Sequence, residues 1–148
     1  MIKREIPWAP GYLVAQNGQV FCGKDPVLPE IRNSKYSKNL SVWINDNCYP
    51  VESLIRQIWF DGCAVLARNG DPLAFANGDL IVVQQRLPSN LSHLSNLSCD
   101  LISYIWELYR KERLPCSQIR ATGGLQDEVT ESNVQEIISM ILHASIRL

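Results

Sequence analysis

The sequence predicts an α+β protein. A small domain of hairpin, strand and one helix is expected over residues 1–86, a linker over 87–99, and an all-α module over 100–148. Three observations carry that expectation. Apolar residues alternate around an Asn-Gly pair near the N-terminus, one segment over 50–62 is amphipathic, and beyond residue 100 the periodicity is helical throughout.

In chain order, "GYLVAQNGQVF" (11–21) reads as two short strands joined by Asn17-Gly18, a pair suited to a tight hairpin turn. "GKDPVLPEIRNSKYSKN" (23–39) reads as a loop, interrupted by two prolines and basic at its end. "LSVWIND" (40–46) alternates as a strand. In "PVESLIRQIWFDG" (50–62), Pro50 suits a first helical position. Val51, Leu54, Ile55, Ile58 and Trp59 share one helical face, and Gly62 fits the stop. "DLIVVQQ" (79–85) reads as a strand.

"LPSNLSHLSNLSC" (87–99) is rich in Ser and Asn, with Leu-Ser recurring every third residue, and reads as a linker lightly packed through Leu91, Leu94 and Leu97. A helix over 100–112 follows, with Asp100 as N-cap and Leu101, Tyr104, Ile105 and Leu108 on one stripe. A short helix over 117–124 ends in two glycines. A third, over 130–144, is capped by Thr130 and turns Val134, Ile137, Ile138 and Ile141 inward. These three helices resemble a helix-turn-helix. Trp8, Trp43, Trp59 and Trp106 have apolar neighbours and are expected in the core.

Composition narrows the function classes. Hydrophobic residues are 46% of the 148 and charged residues 20%, a globular balance. No apolar run approaches the ~20 residues that span a bilayer, and "MIKREIPWAPG" lacks the apolar segment of a secretory signal. Five cysteines without a CxxC pair, and only His93 and His143 beside them, predict reduced thiols in a cytoplasmic protein with no structural zinc and no cofactor. Cys116 is expected to be a small buried residue rather than a reactive thiol. The Asn-x-Ser triplets at Asn39, Asn90 and Asn96 are then idle. A net charge of −1 argues against strong non-specific binding to nucleic acid but permits a local basic face.

Residues 8–83 resemble the HNH homing-endonuclease family of phages and mobile elements. "YLVAQNGQVF" looks like the β-hairpin of the DNA-binding segment that precedes the nuclease. "YPVESLIRQIWFDG" looks like the family's helix. "LARNGDPLAFANGDLIVV" is similar to H-x-D-G-N-x-x-N-N-x-x-x-N-L, with Gly70, Asp71, Pro72 and Leu80 in register. The resemblance implies a ββα-type domain followed by a helix-turn-helix. It also implies a lost active site: the helix His falls at Glu52, the motif His at Ala67, the first motif Asn at Ala74 or Phe75, and the late Asn at Asp79. HNH chemistry needs a His base and metal-binding His, Asn or Asp side chains, so neither a catalytic residue nor a metal site is expected. A substitute Mg²⁺ site at Glu52, Asp71 and Asp79 is the weaker reading, because turn aspartates ordinarily cap the backbone.

The resulting expectation is a non-catalytic protein on an HNH scaffold that binds double-stranded DNA and regulates phage or mobile-element transcription or replication. Arg32, Lys35 and Lys38, with Tyr36 between them, would track phosphates. Gln118, Arg120, Ser132, Asn133 and Gln135 would face DNA from the helical module, where Asn and Gln suit adenine. Against this, acidic side chains outnumber basic ones seven to five over residues 100–148, with Asp127, Glu128, Glu131 and Glu136 around the last helix. Two alternatives remain open: an adaptor that engages a polymerase or other host protein through that acidic module, and a residual metal-dependent nuclease.

Overall fold

The computed structural model describes residues 1–34, 36–73 and 79–146, and of 96, 97, 145 and 146 only the backbone. The architecture is mixed α and β, with antiparallel sheets followed by helices. Among the described residues no helix is long and apolar enough to cross a membrane.

Four short strands form the first sheet as a meander in chain order: β1 (Lys3–Glu5), β2 (Tyr12–Ala15), β3 (Val20–Cys22) and β4 (Asp25–Val27). The Asn17-Gly18 turn joins β2 to β3 as expected, with Leu13 opposite Phe21 and Val14 opposite Val20. The second sheet contains β5 (Glu30–Asn33), β6 (Lys38–Ile44) and β7 (Asn47–Pro50) in that order. Asn45 and Asp46, at φ 48° and 69°, make the two-residue turn between β6 and β7. Residues 23–39 are therefore not one loop, since β4 and β5 lie inside them. Pro26 disguised β4, and a proline is tolerated there because β4 is an edge strand.

Helix α1 (Val51–Trp59) starts just after Pro50 and ends where the Phe60 and Gly62 amides both donate to the Arg56 carbonyl. Its Val51, Leu54 and Ile55 close a first core with Ile6, just after β1, and with Val14, Val20, Val42 and Ile44 of the two sheets. The hairpin β8 (Ala64–Ala67) and β9 (Leu80–Val83) follows. Val65 and Leu80 join that first core, while Ala64, Leu66, Ile81 and Val83 join a second one made with the helices. The cores thus do not divide at residue 86.

Residues 87–99, expected as a linker, are largely helical. Ser89–Leu97 is a 3₁₀ helix with a kink at Leu94, and α2 (Ser98–Trp106) continues from it. Leu91 is fully buried. The three-residue recurrence of Leu-Ser is the period of a 3₁₀ helix, which puts Leu91 and Leu94 on one side. Asp100 accordingly lies inside α2 rather than capping it. A π-helical turn (Glu107–Lys111) ends α2, followed by α3 (Cys116–Thr122) and α4 (Glu131–Ile146). Val134, Ile137, Ile138 and Ile141 are buried as the spacing predicts. Of the four tryptophans, Trp106 is buried and Trp59 partly so, but Trp8 and Trp43 are 44% and 48% exposed. Trp43 alternates with Val42 and Ile44 on β6 and therefore points away from the core.

Candidate nucleic-acid interface

The basic segment expected to track phosphates is divided by the pleat of the second sheet. Arg32 sits opposite Asn39 and Lys38 opposite Asn33, so their side chains leave on opposite faces. Arg32 lies 3.0 Å from the Glu30 carboxylate and 5.5 Å above the Trp43 ring. The Arg32 hydrogen bond, then that from Trp43, holds the Glu30 carboxyl below its usual range. Lys35 lies outside the described residues. Tyr36 is half-buried, its ring stacked on Tyr104 at 5.4 Å and its hydroxyl accepting from the Gln126 amide at 3.0 Å. It is a packing residue between the β5–β6 turn and the helices.

Lys38 instead borders a cleft of about 490 Å³ with Asn33, Ser34, Ser37, Asp71 and Lys111. The floor is Glu107, 8% exposed, whose carboxylate accepts the Ser37 hydroxyl at 2.6 Å. The π-helical turn adds a residue to the helix at this point and so re-aims the side chains that follow. On the opposite wall Asp71 accepts the Leu73 amide at 3.0 Å and lies 3.9 Å from Lys111. Asp71 therefore caps its own turn. Burial, and after it the Glu107 charge, pushes the nearby Tyr104 phenol up, so that it stays protonated and donates to the Gly123 carbonyl at 2.8 Å. Two lysines, two serines and an asparagine amide thus meet at one open concavity. Ser37 and Glu107 are 70 residues apart, and no local signal in the sequence links them.

The polar face of α4 differs from the expected reading face. Asn133 is only 6% exposed. Its amide oxygen accepts the Thr130 amide at 3.0 Å, the Thr130 hydroxyl accepts the Asn133 amide at 3.1 Å, and its side chain exchanges hydrogen bonds with Asn90. This is a reciprocal cap, with Asn in the place usual for Glu or Gln. Asn133 thus serves the helix cap and the Asn90 pair. Asn133→Ala is expected to lower stability by about 2 kcal/mol, measured by urea unfolding, and to leave duplex affinity unchanged. A loss of affinity at unchanged stability would restore its reading role. Arg120 is likewise engaged: its guanidinium donates to the Val129 carbonyl at 2.8 Å and to that of Asp127 at 3.0 Å, closing the α3–α4 loop. Gln118, Ser132 and Gln135 are exposed, the latter two among the exposed carboxylates Glu131 and Glu136.

The three carboxylates of the alternative metal reading each have their own cation. Glu52 lies 3.7 Å from Arg56, Asp79 2.6 Å from Arg68, and Asp71 beside Lys111. Among the described residues no three His, Cys, Asp or Glu side chains are gathered as a metal site. Ala67, where the resemblance puts the motif histidine, is 3% exposed, and its carbonyl accepts the Trp106 indole at 2.9 Å. Ala74 and Phe75 lie outside the described residues. No family model, no curated protein and no solved structure matches the chain.

Proposed function

We propose that this chain is a non-catalytic DNA-binding protein on an HNH-like scaffold, acting in phage or mobile-element transcription or replication. It engages the phosphate backbone through the Lys38–Lys111 cleft rather than through α4. The observation that carries this reading is the meeting of Lys38 and Lys111 at one concavity that also presents Asn33, where Glu107 is occupied by the Ser37 hydroxyl and Asp71 by the Leu73 amide. Ammonium and amide donors are groups that contact phosphodiester oxygens. The absence of a catalytic role rests on Ala67, on the Arg68–Asp79 pair and on Glu52 facing Arg56.

Fluorescence anisotropy with a labelled duplex over a salt series tests the proposal. Each phosphate contact contributes about 0.9 to the slope of log K against log salt. The double variant K38A/K111A is expected to flatten that slope by nearly two contacts while far-UV circular dichroism stays unchanged. Wild-type protein that fails to retain duplex even at low salt sinks the reading.

One observation favours a second reading, the protein-binding adaptor. The carboxylates Asp127, Glu128, Glu131 and Glu136 are all exposed around the start of α4, and Leu142 is exposed further along it. A basic partner segment docked there would be insensitive to K38A/K111A and sensitive to Glu131→Lys.

A further inference from the structure

We propose that β5 is a dimerisation edge, paired antiparallel with β5 of a second copy of this chain about a two-fold axis at Ile31. Among the described residues the strand ends its sheet and pairs only with β6, and all four of its residues are exposed. Exposed edges are ordinarily blunted. Pro26 does this for β4 at the edge of the other sheet, whereas β5 carries no proline of its own.

The backbone phase suits a two-fold pair. The Ser34 amide donates to the Ser37 carbonyl at 2.7 Å, next to the Asn33–Lys38 pair. Antiparallel ladders alternate between bonded and non-bonded pairs. Glu30 and Arg32 therefore aim their amides and carbonyls at β6, while Ile31 and Asn33 aim theirs outward. With the axis at Ile31, the two Ile31 residues exchange both backbone hydrogen bonds, and each Asn33 amide meets the Pro29 carbonyl of the other copy. Proline needs no acceptor there, so the strand's entry is compatible with the pairing.

The side chains are complementary in the same register. Glu30-Ile31-Arg32 reads as its own charge complement when reversed. Each Glu30 stands opposite Arg32 of the second copy, and the two Ile31 side chains, 59% exposed in the single chain, meet on the other face. Trp43 holds the acid at the edge through its indole bond to Glu30 at 3.0 Å. The result is a six-stranded sheet running continuously through both copies.

Sedimentation of the full chain over a concentration series is expected to show a reversible monomer–dimer equilibrium. Ile31→Pro removes an amide that does not serve β6, so it should keep the circular dichroism spectrum and abolish the dimer. E30R and R32E, each alone, place like charges across the axis and should weaken the dimer by about tenfold. Mixing the two variant chains faces two basic side chains with two acidic ones and should restore it. This recovery decides the matter even if Ile31→Pro fails to fold. A monomer at every concentration, a dimer indifferent to Ile31→Pro, or no recovery on mixing would each overturn the proposal. Capture of an extended peptide by a monomeric chain would assign the edge to a different partner.

Discussion

Gly70→Ala will lower the stability of the protein by about 3 kcal/mol, seen as a fall in the midpoint of urea unfolding without loss of steepness. Gly70 has φ +85°, and a Cβ built there would lie 2.8 Å from the Arg110 Cβ and 2.8 Å from the Lys111 backbone nitrogen. Neither neighbour is the tip of a flexible side chain, so the turn must lift away from the π-helical segment. Gly62 supplies the control. It has the same φ of +85° but nothing among the described residues within 4 Å of its added Cβ, so Gly62→Ala carries only the backbone strain, about 1 kcal/mol. The difference between the two variants isolates the close approach. Because Asp71 and Lys111 border the cleft on either side of that approach, Gly70→Ala should also weaken duplex binding at temperatures where it remains folded.

Arg56→Ala should cost about 2 kcal/mol, because it removes two hydrogen bonds and the partner of a half-buried carboxylate. Arg56 links α1 to α2: its guanidinium donates to the Cys99 sulfur at 2.6 Å and to the Ser53 hydroxyl at 3.0 Å. Its Nε faces Glu52 at 3.7 Å, too far for a hydrogen bond, and has no hydrogen-bond partner among the described residues. The pair is thus half-buried with imperfect geometry. Burial raises the Glu52 carboxyl above its ordinary 4.5 even though Arg56 pulls it down. Burial, with the Glu52 charge behind it, also pushes the Cys99 thiol up to about 11, so it remains a thiol at neutral pH.

The pH dependence follows in sign. A carboxyl whose native value is raised binds its proton more tightly in the folded chain. Its protonated form favours folding, so stability falls as pH rises from 4.5 through the native value of Glu52. Asp100, raised chiefly by burial, acts in the same direction. Glu52→Gln should flatten most of that fall and be neutral or stabilising at pH 7, the reverse of Arg56→Ala. Denaturation midpoints across roughly pH 4 to 8 check both variants together.

Legibility in the sequence followed how local each signal is. Asn17-Gly18, α1 and α4 were readable because a turn chemistry or a repeated spacing lies within a few residues. The turn at Asn45-Asp46 lacks glycine and so lacks the strongest hairpin signal, although both residues adopt positive φ. The 3₁₀ helix carried its period openly in Leu91 and Leu94, but its Ser and Asn content resembles a linker. The site was less legible. Asn133 sits among exposed polar residues on α4, and its burial comes from Asn90 and Thr130, one of them far away in the chain. The cleft needs Lys38, Asp71, Glu107 and Lys111 brought together by tertiary packing, and no spacing in the chain encodes that.

The β8–β9 hairpin has one further consequence. Its alternate residues serve different cores: Leu66 and Ile81 look into the helices, Val65 and Leu80 into the sheets. Slipping β9 by a single residue would exchange those faces and spoil both interiors at once. A ribbon buried on both sides acts as a keel common to the two halves. Neither half can loosen without uncovering it, so the chain is expected to melt cooperatively, as one thermodynamic unit.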